Sequence, residues 1–124
     1  MKKFFMLIGV IVLIISCPGC GNDYKHIDAK RAAEMMQTET NYIILDVRTP
    51  AEFEKTHIPN AVLLPVDEIK AGKFSETLPD KNQVIMIYCQ TGRRAEDAAA
   101  ILVKAGYNKV YEFGGLVDWN GAVE

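Results

Sequence analysis

Residues 84–88 (Val, Ile, Met, Ile, Tyr) are apolar without interruption, the pattern of a strand buried on both faces of a parallel sheet. Short, mostly apolar runs at 42–47, 61–64 and 110–113 have strand length as well. Between them the period changes. Ala32, Ala33, Met35 and Met36 give one apolar side to a helix over 29–37 that Asp28 would cap. Ala98, Ala99, Ile101, Leu102 and Ala105 recur at helical spacing over 96–105, with Gly106 as the stop. Thr49-Pro50-Ala51-Glu52 opens another helix: Thr49 is a cap, Pro50 fits the first helical position, and Glu52 stands three residues after the cap. Residues 66–71 read as a helical turn or two and 73–80 as a loop or short helix, while Gly114-Gly115 turns the chain into a short helix bearing Trp119. Short strands alternating with helices predict an α/β sandwich, with a central, mainly parallel sheet of about five strands flanked by helices.

One apolar run falls outside this scheme. Residues 4–15 follow the basic Met1-Lys2-Lys3 and are broken only by Gly9, as in a secretory leader. The run is short of the roughly 20 residues needed to span a bilayer. Ile14-Ile15-Ser16-Cys17 is similar to a bacterial lipobox, in which cleavage precedes the cysteine and the cysteine takes the lipid. The expected organisation is therefore a signal peptide at 1–16, a lipidated tether at 17–25 and one domain at 26–124, anchored to a membrane outside the cytoplasm. Cys17-Pro18-Gly19-Cys20 also spells a C-x-x-C redox pair, a reading that its place behind a leader disfavours. If Cys17 is lipidated, Cys20 and Cys89 remain as thiols in a compartment that permits disulfides.

With 124 residues, 49% of them hydrophobic, the chain has room for one core once the leader is set aside. Its formal net charge is -2, and loss of Lys2 and Lys3 with the leader makes it about -4. No basic run occurs elsewhere, so no nucleic-acid partner is expected.

The chemistry concentrates in Cys89-Gln90-Thr91-Gly92-Arg93-Arg94, between the run at 84–88 and the alanine-rich helix. Ligands of open α/β sheets bind beyond the carboxyl ends of the strands, and Cys89 stands at such an end. A helix start and neighbouring guanidinium groups favour the thiolate, which is the nucleophilic form of cysteine. Gly92 permits a tight loop whose backbone N–H groups turn inward and cradle an anion. Cys89 is the candidate nucleophile, Gln90, Thr91, Gly92, Arg93 and Arg94 form its candidate substrate-binding loop, and anionic substrates are favoured.

This Cys-x-x-Gly-x-Arg loop, between a Val/Ile-rich strand and an Ala-rich helix, resembles the active-site loop of the rhodanese (sulfurtransferase) family. Three more segments agree in order: Asp46-Val47-Arg48 with its flanks, His57-Ile58-Pro59-Asn60-Ala61, and Gly114-Gly115-Leu116-Val117-Asp118-Trp119. The resemblance runs from about His26 to Trp119. It implies a rhodanese-like sandwich and transfer of sulfane sulfur from a small anionic donor, through a Cys89 persulfide, to a thiol or cyanide-like acceptor that could be a protein. It calls for no metal and no organic cofactor. Asp46 and Arg48 are expected to be a structural ion pair or loop brace, and His57 a structural residue. Asn60 and Ala95 stand where many members carry glycine and a hydroxyl residue.

Two other functions use similar elements. Cysteine phosphatases and arsenate reductases place five residues between Cys and Arg, whereas four separate Cys89 from Arg94, and Ala95 offers no guanidinium. A tethered regulatory module or persulfide carrier is the other reading, against which the presence of Cys89 counts only in part.

Overall fold

The computed structural model describes residues 23–124. The expected leader, Cys17 and Cys20 lie outside the described residues. The chain forms β1 (Lys25–His26), α1 (Ala29–Thr38), β2 (Tyr42–Asp46), α2 (Pro50–Lys55), β3 (Val62–Leu63), α3 (Val66–Lys70), β4 (Val84–Cys89), α4 (Arg93–Lys104), β5 (Val110–Gly115) and a closing 3₁₀ turn, Leu116–Asp118. The five strands make one sheet in the order β1-β5-β4-β2-β3, parallel at every pairing.

The local signals act as their chemistry dictates. Asp28 caps α1 by accepting the Arg31 N–H at 2.7 Å. Thr49 and Glu52 close a reciprocal capping box on α2, with Pro50 in its first turn. Asn60 takes a left-handed φ of 68°, a region asparagine tolerates better than most side chains.

Side chains alternate across β4 with the period of two that a strand imposes. Ile85, Ile87 and Cys89 join a core beneath α3 and α4 with Leu45, Ile69, Ala98, Ala99 and Leu102. Met86 and Tyr88 face the opposite way, into a second core with Ala32, Met35, Ile44, Ile58 and Phe113. The methionines Met35 and Met86 thus fill a core, and among the described residues no group of three or more His, Cys, Asp or Glu is placed to hold a metal ion.

Two boundaries differ from expectation, and a third takes one of its two expected forms. β1 is a two-residue edge strand whose Lys25 falls in the expected tether, and Tyr24 just before it packs on the core; a strand this short carries no periodicity to read. Residues 73–80 form turns without a helix. α4 begins at Arg93 rather than Glu96, so both arginines of the cysteine segment belong to its first turn.

Leu102 is fully buried between α4 and the sheet. Leu102→Ala should lower stability by about 2–5 kcal/mol through lost burial and a residual cavity, measured by urea unfolding. Val117→Ala, at a side chain that is 62% exposed, should stay within about 0.5 kcal/mol of the parent.

Candidate active site

The site lies where β2, β4 and β5 end together. Cys89 is the last residue of β4 and is fully buried. The loop proper is only Gln90, Thr91 and Gly92. Gly92 adopts φ 112°, in the left-handed region that glycine enters without penalty, and as the residue before α4 it donates its N–H to Cys89 Sγ at 2.9 Å. A negative sulfur therefore meets both a backbone donor and the positive end of α4.

A bulge in β5 shapes the wall behind the sulfur. Ile87 pairs with Glu112 but Cys89 pairs with Gly115, so β5 spends one residue more than β4 over the same span. Gly114 supplies the turn with φ 85°, and its carbonyl oxygen lies 4.0 Å from Cys89 Sγ. Gly115 then passes directly beneath the loop. A Cβ there would overlap the Gln90 carbonyl and stand 2.6 Å from the Thr91 nitrogen, so the close approach of the two backbones requires glycine.

The two arginines have different surroundings. Arg94 is bound in bidentate fashion by Glu52 of α2, at 2.7 and 2.9 Å, so it ties the start of α4 to α2. Arg93 is exposed on the first turn of α4 and has no carboxylate partner among the described residues. Of the two, Arg93 is the guanidinium free to meet an arriving anion. Thr91 is exposed at the loop tip, and Gln90 is half-buried.

A buried ion pair supports the loop from the other face of the sheet. Arg48 binds both oxygens of Asp46, with Nη2 at 2.7 Å from Oδ2, and neither side chain is more than 1% exposed. The same guanidinium donates to the Thr56 carbonyl at 2.6 Å and to Gln90 Oε1 at 3.3 Å. Tyr88 donates its hydroxyl to Asp46 Oδ2 at 2.6 Å and accepts from the Ile58 N–H. Burial, followed by this bond to Asp46, pushes the Tyr88 phenol far above its ordinary value, so it serves as a donor and not as an acid. The expectation of an ion pair and loop brace at Asp46 and Arg48 agrees with this geometry.

His57 stacks on Phe53 with ring centroids 3.8 Å apart, bonds the Phe53 carbonyl through Nδ1 at 2.8 Å and faces Glu124 through Nε2 at 3.3 Å. These contacts fasten the end of the chain to the segment after α2. Sequence reasoning passed over Glu112, Gly115 and the Glu52–Arg94 pair as parts of the site. Glu112 left a signal, since a carboxylate inside the apolar run 110–113 has to face either solvent or a specific partner.

The bond to Arg94 holds the Glu52 carboxyl well below the usual range, at about 2 against an ordinary 4.5. A carboxylate with a depressed folded value stabilises fully above about 4.5 and loses that stabilisation as pH falls toward about 2. Glu52→Gln should therefore be less stable than the parent at neutral pH by about 1–2 kcal/mol, since the pair is partly exposed and screened. The difference should shrink toward zero on acidification, as followed by urea unfolding at a series of pH values.

The rhodanese-like domain family model matches residues 28–122 of the chain. Thiosulfate sulfurtransferase PspE of Escherichia coli is 36% identical over 74 residues, covering 60% of this chain and 70% of that protein. A sulfurtransferase of Allochromatium vinosum is 33% identical over 94 residues, covering 75% of this chain and 85% of that one. Among solved structures, a rhodanese with anions from Escherichia coli superposes with a TM-score of 0.62 at 32% identity over 67% of this chain and 96% of that one. A rhodanese-like domain protein of Staphylococcus aureus reaches 0.68 at 29% identity, over 81% and 96%. Similarity along nearly the whole described domain, with the cysteine loop, its glycine wall and its buried ion pair in one parallel sheet, makes this chain a member of the rhodanese-like domain family.

Proposed function

We propose that this protein is a sulfurtransferase that carries sulfane sulfur on Cys89. The observation that carries the reading is the Gly92 N–H aimed at Cys89 Sγ from 2.9 Å, in a segment that reaches Arg94 after only four intervening residues. A cradle of this size suits one sulfur atom better than a phosphoryl group. Names of the relatives support the same chemistry, thiosulfate sulfurtransferase among them.

In the first step the Cys89 thiolate attacks the outer sulfur of a thiosulfate-like donor. A new S–S bond forms at Cys89, the donor's S–S bond breaks, and its electron pair leaves with sulfite. In the second step a thiophilic acceptor attacks the outer sulfur, the cysteine persulfide bond breaks, and Cys89 regains its thiolate. Each half is a nucleophilic displacement, and the two together are ping-pong catalysis. Gly92 N–H and the first turn of α4 stabilise the negative sulfur without having to reorganise, while exposed Arg93 attracts the dianionic donor and holds its sulfonate end. Arg94, Asp46 and Arg48 keep the loop in place. With thiosulfate and cyanide, the protein should form thiocyanate, and Cys89→Ser should reduce the rate to background. Wild-type protein treated with thiosulfate alone should gain one sulfur atom by intact mass, removable by a reductant. Equal activity in Cys89→Ser would sink the mechanism.

The reading includes a membrane-tethered position outside the cytoplasm, supported by the leader pattern and by Cys17 at the end of the lipobox-like segment. Cys17→Ala should release the protein from the membrane fraction or stall its processing, and unchanged membrane retention of processed protein would refute lipid anchoring there.

A further inference from the structure

Glu112 is a buried carboxylate that the proposed sulfur transfer does not use. Its register opposite Ile87 puts it on the face of the sheet that also carries Cys89. Only 1% of its side chain is exposed, and both oxygens are engaged. Oε1 accepts the Gly114 N–H at 2.8 Å, the backbone donor that the β5 bulge turns away from the sheet. Oε2 is 2.6 Å from Nδ1 of His26, which is paired with Glu112 across β1 and β5. His26 itself is 66% exposed. A chain of contacts therefore leads from a surface imidazole, through a buried carboxylate, to the turn whose Gly114 carbonyl faces Cys89 Sγ and whose Gly115 underlies the loop.

We propose that His26 and Glu112 are positioning residues that form a proton-operated brace for the wall of the cysteine site. Protonated His26 clamps the Glu112 carboxylate beneath the bulge and keeps Gly114 in register. Neutral His26 leaves that buried charge without its cation, and the bulge loosens against the loop. No other cation pairs with Glu112 among the described residues.

The surroundings favour the charged imidazole. Its bond to Glu112 comes first, followed by the Glu112 charge, and then the carboxylates of Glu96 on α4 and Asp28 at the cap of α1, which together outweigh partial burial and raise the His26 pKa. Lys25 is the neighbouring cation on β1 and Tyr24 the neighbouring phenol, itself pushed upward by burial and by Glu96, Glu112, Asp23 and Asp97. Of these groups, an imidazole is the one that ordinarily titrates near neutrality. A raised folded value means that the brace is fully present below the unfolded value of about 6.5 and is lost as pH rises through the folded one.

The inference rests on Cys89 being the sulfur carrier for its consequence, and its test separates the two. Hydrogen exchange of the Gly114 amide should be measured by NMR across about pH 5.5 to 9, in the full chain and in its His26→Gln variant. At the acid end the parent should protect Gly114 about 2- to 5-fold more than the variant, the range of an ion pair whose cation is exposed to solvent. The ratio should fall to about one as the His26 ring titrates. The rate of sulfur loading onto Cys89 from thiosulfate, taken as the same ratio, should follow the same midpoint. Equal Gly114 protection in both proteins at all pH values, or a loading ratio that does not change with pH, would overturn the brace. A parent that loads no sulfur would count against the proposed reaction, and the exchange ratio would still decide whether His26 controls the bulge.

Discussion

The buried pair between Asp46 and Arg48 is the contact on which the rest of the site depends. An unpaired guanidinium at this depth would cost several kcal/mol, so its donors have to be satisfied, and each partner belongs to a different part of the fold. Asp46 ends β2, Thr56 follows α2, and Gln90 opens the cysteine loop. Tyr88 of β4 adds its hydroxyl to Asp46 and receives the Ile58 N–H. Among the described residues no buried side-chain nitrogen or oxygen is left without a partner. A network satisfied to this degree rigidifies its surroundings, and here it fixes the point at which β4 gives way to the loop.

The sulfur is held from the opposite face by backbone rather than side chains. Gly92 supplies the donor, Gly114 the turn, and Gly115 the clearance that lets the loop rest on β5. Backbone N–H groups are suited to this task because they carry no rotamer freedom to lose and are already oriented by the secondary structure. The guanidinium groups divide the remaining work: Arg94 is spent on Glu52, and Arg93 is left at the surface. This division follows from their places on α4, where adjacent residues point about 100° apart.

Much of the site was legible along the chain. Cys89 follows an apolar run that can only be a central strand, and Gly92 marks a loop with unusual backbone angles. Thr49, Pro50 and Glu52 write out a helix start. What could not be read were the pairings between segments. Glu52 looks like a capping residue and is one, yet its carboxylate also holds Arg94, 42 positions away. β1 is too short for any pattern, and its identity comes from the edge of β5 that it covers. The bulge in β5 leaves no mark except a glycine pair, because it is a mismatch in count between two strands and belongs to neither alone.

By itself the sequence determined the order of the helices and of every strand but β1, the residue at the strand end that can act as a nucleophile, and the backbone freedom at the glycines around it. These follow from local forces: side-chain period, capping and the steric limits on φ. The tertiary structure alone decided which arginine is committed and which is free, how Glu112 is buried with His26 as its partner, and which backbone donor reaches the sulfur. Those outcomes depend on the register of five parallel strands, and register is set by the simultaneous fit of both cores rather than by any one segment.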